Sequence, residues 1–119
     1  MANRTLVNVI RPGSTPTELM AKGWESSGVL SASTVIKAKY GMLGAVMVQA
    51  TDNGADQVLK VWDSPDSTTT DDVILYQCDL PETTDGARQY AQMPLPGVVA
   101  HNGIYVEIAG DLEFEIFYR

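Results

Sequence analysis

Groups that commonly do chemistry or bind nucleic acid are scarce in this chain. Its 119 residues include one cysteine, one histidine and 8 basic residues against 15 acidic ones. The single Cys78 cannot form an internal disulfide and has no neighbouring ligand set, so a packed thiol in a reducing compartment is expected. His101 stands alone, without a second histidine or a cysteine at ligand spacing. A zinc or nucleophilic site would lack its usual partners, and His101 reads as a turn residue. The formal net charge of −7 weighs against nucleic acid as a partner, because such binding rests on neutralising phosphates with Lys and Arg. No run approaches the ~18 unbroken apolar residues of a membrane helix. Phosphate-cradling glycine loops are also missing, the glycines being spread singly among turns. No cofactor is expected, and no enzyme class stands out.

What is present is enough apolar material for one core. With 45% hydrophobic and 19% charged residues the composition is that of a single globular domain. A chain of this length buries roughly two-thirds of its unfolded surface. The Leu6–Ile10 run is too brief and too polar for a secretory signal, which points to production in a cytoplasm.

From Val29 onward short runs of period two alternate with turn residues, and helical stripes are hard to find. Residues 35–40 and 45–50 flank Gly41-Met42-Leu43-Gly44, so they pair as neighbours or form one long strand bent at the glycines. Residues 58–62, 73–78 and 97–100 read as further strands. Pro94 and Pro96 cannot donate to a central ladder and place their stretch at an edge. Asn102-Gly103 is a strong hairpin signal.

The last two strands alternate clearly: Ile104, Val106 and Ile108 share one face, and after Gly110-Asp111 so do Leu112, Phe114, Ile116 and Tyr118. Glu113 and Glu115 face the other side, joined by Glu107 if the two strands form a hairpin. The expected fold is all-β: a single antiparallel β-sandwich, jelly-roll or immunoglobulin-like, of about eight short strands over residues 28–119.

Residues 1–27 differ, with Pro12 and Pro16 and little periodicity, and read as an extended N-terminal arm or lead-in strand. Leu6, Val7, Val9, Ile10 and Trp24 are its candidate partner-binding residues, since large apolar groups rarely lie free in water. Either the segment adds as a strand to another chain, or it pairs within its own sandwich.

Other constellations have plain readings. Asp52, Asn53, Asp56, Asp63, Asp66, Asp71 and Asp72 offer oxygens to a calcium ion, but the spacing is not that of an EF-hand loop and turns favour these residues anyway. Glu107, Glu113 and Glu115 imitate a glycosidase pair, yet a solvated row discouraging aggregation explains them as well. The Trp24, Tyr40, Trp62, Tyr76, Tyr90 and Tyr105 set offers a sugar platform, although 8% aromatic content is what a sandwich core and rim require.

Three stretches carry a resemblance: Gly28-Val29-Leu30-Ser31-Ala32-Ser33, Val58-Leu59-Lys60-Val61-Trp62-Asp63, and the run from Gly103-Ile104-Tyr105-Val106 to Tyr118. They are similar to the G-V-L-S-A-S opening, the central L-x-V-W-D-S strand and the final N-G-I-Y-V-x-I-x-G hairpin in small virion proteins of tailed bacteriophages. The resemblance spans residues 28–119 and implies a non-enzymatic capsid or tail component. A head decoration (cement) protein fits best, assembled in the host cytoplasm and resident in the virion. The implied partners are the major capsid protein and further copies of the chain, a trimer suiting local three-fold positions. The alternatives are a neck, tail or fibre component, or a carbohydrate-binding module of the virion. No catalytic residue is carried over.

Overall fold

A computed structural model describes residues 23–51, 57–80, 88–94 and 97–119. Leu6, Val7, Val9 and Ile10 lie outside the described residues, as do Asp52, Asn53 and Asp56. Nine strands occur among the described residues: β1 (Glu25–Ser26), β2 (Thr34–Lys37), β3 (Gly41–Ala50), β4 (Gln57–Asp63), β5 (Val73–Leu80), β6 (Arg88–Gln92), β7 (Val98–Ala100), β8 (Ile104–Ala109) and β9 (Leu112–Tyr118).

They form two antiparallel sheets. The first has the order β1-β9-β3-β6, with β7 also bonded to β3; the second has the order β2-β8-β4-β5. In the first sheet β7 takes Gly41–Leu43 of β3 and β6 takes Ala45–Gln49, so β6 and β7 are two pieces of one interrupted edge strand. The interruption falls at Pro94 and Gly97, whose N–H donates to the Pro94 carbonyl at 2.7 Å. Proline's missing donor keeps this segment at the edge, as expected from sequence.

With β6 and β7 counted as one strand, the pairings are nested: first with last, second with second-last, third with third-last, and the middle two with each other. That is a long antiparallel ribbon rolled into two layers. The strand order is therefore that of a jelly roll rather than an immunoglobulin-like sandwich.

The core lies between the sheets. β4 is buried at every second residue, and its Leu59 and Val61 meet Ile104 and Val106 of β8. Leu112, Phe114 and Ile116 close on them from β9. In β3 both Leu43 and Val46 point inward although three residues apart. A register shift between Leu43 and Ala45 makes Gly44 the extra residue of a β-bulge, which reverses the alternation.

Three sequence expectations need correction. The flanks of residues 41–44 are neither neighbours nor one bent strand, because β2 and β3 belong to opposite sheets and Gly41 already starts β3. A Cβ at Gly41 would lie 2.5 Å from the Arg119 carbonyl oxygen, so only glycine lets the chain pass there. Asn102-Gly103 likewise joins β7 of the first sheet to β8 of the second and makes no hairpin. Nor do β8 and β9 pair: β8 is bonded to β2 and β4, and β9 to β1 and β3. Their apolar faces still meet across one core, because an arch between sheets preserves alternation as well as a hairpin does.

Trp24 to Ser27, read from sequence as the end of an arm or lead-in strand, lie in the sandwich. Glu25 and Ser26 pair with Tyr118 and Phe117, and the Ser27 N–H donates to the Ile116 carbonyl at 2.9 Å.

Candidate functional site

The outer face of the first sheet holds a cleft of about 490 Å³. Its position follows from register. On β3, Met47 lies opposite Glu115 of β9 on one side and Tyr90 of β6 on the other; Gln49 lies opposite Glu113. Directly opposed residues hold their Cβ atoms ~5 Å apart, so these side chains share one continuous surface. Val29, in the loop after β1, is 64% exposed and forms the near wall, and Tyr90, 39% exposed, forms the far one. Glu113 and Glu115 stand on the same side of β9, and the Ser26 hydroxyl donates to Glu115 Oε2. The cleft thus combines an apolar floor with two carboxylates.

One row further along, the same face is closed. Trp24 is buried with Ala45 and Phe117, with Met42 and Met47 against them, and the Arg119 guanidinium lies 5.5 Å from the Trp24 ring centre. Phe117 falls on the wet side by alternation, and Trp24 is what keeps it dry. The Trp24 side chain is thus taken up by the chain's own fold.

The acidic row expected from sequence is divided. Glu107 projects from the second sheet, where it accepts the Trp62 indole N–H at 3.1 Å, and it shares no face with Glu113 and Glu115. The six aromatics do not gather into a platform either. Trp24 and Tyr90 belong to the first sheet, Trp62 and Tyr105 pair across β4 and β8 of the second, and Tyr40 meets His101 edge-on at 6.4 Å. His101 is exposed at the β7–β8 arch, where sequence put a turn residue.

Asp63 has a role that sequence missed. Its buried carboxylate accepts the backbone N–H groups of His101 at 3.2 Å and Asn102 at 2.8 Å, fixing the arch from 38 residues away. Both its oxygens are occupied by the protein backbone. No group of three or more His, Cys, Asp or Glu gathers to hold a metal among the described residues.

Cys78 is the packed thiol that was expected, 4% exposed, donating to Gln89 Oε1 at 3.2 Å; Gln89 Nε2 in turn donates to the Tyr76 hydroxyl at 3.1 Å. This chain of three links β5 to β6 at the margin between the sheets. Burial pushes the Cys78 thiol above its ordinary 9.0, and burial together with the neighbouring Cys78 pushes Tyr76 up to about 12. Both groups are held neutral in the fold, so their contribution to stability is complete below their ordinary values and falls away as pH rises through the folded ones. The melting temperature is therefore expected to decline from about pH 9 to about pH 12. Tyr76→Phe should flatten the upper part of that decline and Cys78→Ala the lower part, measured by thermal melts in a pH series; equal slopes in all three proteins would overturn the assignment.

No protein-family model, curated protein or solved structure matches the chain.

Proposed function

We propose that the chain is a non-enzymatic structural protein of a bacteriophage virion, a decoration or cement protein that binds the major capsid protein and stabilises the head. The observation that carries this reading is the nested strand order, which is the architecture on which viral capsid and lectin domains are built. A fold alone hosts many functions. The order gains weight here from coinciding with the three virion-like motifs, which fall on the strand-entry loop before β2, on β4, and on β8 with β9. The net charge of −7 keeps such a protein soluble at high concentration before assembly and suits a basic partner surface.

Quantitative mass spectrometry of purified particles, counting this chain against the major capsid protein, tests the proposal. Hundreds of copies are expected for a shell-decorating protein. A dozen or so would move it to the neck, tail or fibre, and none would overturn the virion reading.

A further inference from the structure

We infer that the outer-face cleft of the first sheet is the docking site of the chain's own N-terminal segment, Arg4 to Arg11, laid between Val29 and Tyr90 and against Glu113 and Glu115. The inference is independent of the proposed function.

Charge is the first argument. Residues 1–22 hold three basic residues, Arg4, Arg11 and Lys22, against one acid, Glu18; the remaining residues hold five basic and fourteen acidic. The chain thus joins a basic segment to an acidic domain. The cleft is where two of those acids flank an apolar floor, and opposite charges so placed attract and fix register.

Pattern is the second. In extended form, Val7, Val9 and Arg11 fall on one side of the segment at about 6.7 Å intervals. That is two apolar groups followed by a cation. The cleft has a similar step: Glu115, Met47 and Tyr90 lie in one cross-strand row, and Glu113 and Gln49 lie in the next, so each row sets a carboxylate beside the surface on which the segment would rest. Val29 and Tyr90 are large apolar groups exposed on the same cleft, and a segment seated between them would cover both.

Reach is the third. The chain joins the fold at Trp24, on the same outer face and one cross-strand row from Met47. Followed back from Ser26 to Glu25, the chain runs toward the end of β9 away from the cleft, so docking requires a reversal of direction, and Pro12-Gly13 is a pair that favours turns. The thirteen residues from Arg11 to Trp24 span up to about 43 Å when extended, against a longest molecular dimension of 52 Å. A tether of this length holds the segment at an effective concentration on the order of millimolar. A second copy would have to be that concentrated to compete.

Disulfide trapping in the full chain tests this. With Cys78→Ala removing the native thiol, Val9→Cys is combined with Met47→Cys, and in a control with Val35→Cys, which lies on the other sheet. Mild oxidation at micromolar protein is expected to give an intramolecular link between positions 9 and 47 in most molecules, and at least ten-fold less of the 9–35 link. A disulfide-linked dimer would assign the cleft to a second copy and overturn the inference, as would free thiols or equal linking in the control. A second readout avoids cysteine substitutions in the cleft: Arg11→Glu should raise amide exchange at residues 6–10 at least ten-fold, and adding Glu113→Arg should restore protection. Unchanged exchange in Arg11→Glu would likewise overturn it.

Discussion

Removing residues 112–119 is expected to leave no cooperatively folded protein. β9 is the central strand of the first sheet's longest ladder, bonded to β3 from Leu43 to Ala50 and to β1 through Tyr118 and Phe117. It carries Leu112, Phe114 and Ile116 into the main core and Phe117 into the smaller cluster under Trp24. Each large apolar side chain withdrawn from the core costs about 2 kcal/mol or more, whereas a domain of this kind has a total stability of only about 5–15 kcal/mol. Four such losses come to about 8 kcal/mol or more, which, with the β3 ladder also left unpaired, is as large as the typical margin itself. The truncated chain should lack near-ultraviolet circular dichroism and a thermal transition. A cooperative melt within a few degrees of the full chain would show that β9 is dispensable. The single substitution Phe114→Ala should cost about 3–5 kcal/mol, which lowers the melting temperature by roughly 12–20 °C at about 4 °C per kcal/mol.

The second large effect is expected from one methyl group. A Cβ at Gly103 would stand 2.6 Å from the Lys37 carbonyl oxygen, 2.7 Å from that of Ser64 and 2.8 Å from Pro65 Cα. All three are backbone atoms and none can swing aside, so Gly103→Ala must push apart the ends of β2 and β4 and the start of β8. Overpacking of this kind costs about 1–3 kcal/mol, and more where the neighbours are rigid. The same arch depends on Asp63, and Asp63→Ala would leave two backbone donors without their acceptor at about 1–3 kcal/mol. Because both variants loosen one arch, the double variant should fall short of the sum of the two. Gly28→Asn is the control: its φ of 74° suits asparagine and no atom lies within 4 Å of an added Cβ, so its melting temperature should hardly move. Equal shifts at positions 28 and 103 would refute the steric account.

The layers of the sandwich were legible because alternation in β4, β8 and β9 is set by one wet and one dry face, which is a local property of the chain. Partners were not. Hairpin and arch place Ile104 and Leu112 on the same core, so nothing within residues 103–118 distinguishes them, and the decision rests with β3 and β4 elsewhere in the sequence. Asp63 illustrates the same limit: it reads as one more loop acid until His101 and Asn102 are brought to it. The cleft is the extreme case. Its residues come from β3, β6 and β9, and Met47, Tyr90 and Glu115 become neighbours only through register. Phe117 escaped the alternation rule because its cover, Trp24, arrives from a segment more than ninety residues earlier.

The nested pairing also has a consequence in time. β1 finds its partner in β9, and the Ser26–Glu115 contact joins residues 89 apart. β2 must wait for β8, and among the described strands only the paired β4 and β5 are neighbours in sequence. Contacts this distant return nothing until long loops have closed, which places such chains among the slow, millisecond-to-second folders. Until residues 112–118 have been made, β3 has no partner on that side and β1 has none among the described strands, leaving open strand edges to which another unfinished chain can pair. Folding yield should therefore depend on chain concentration far more steeply than the stability of the finished roll implies.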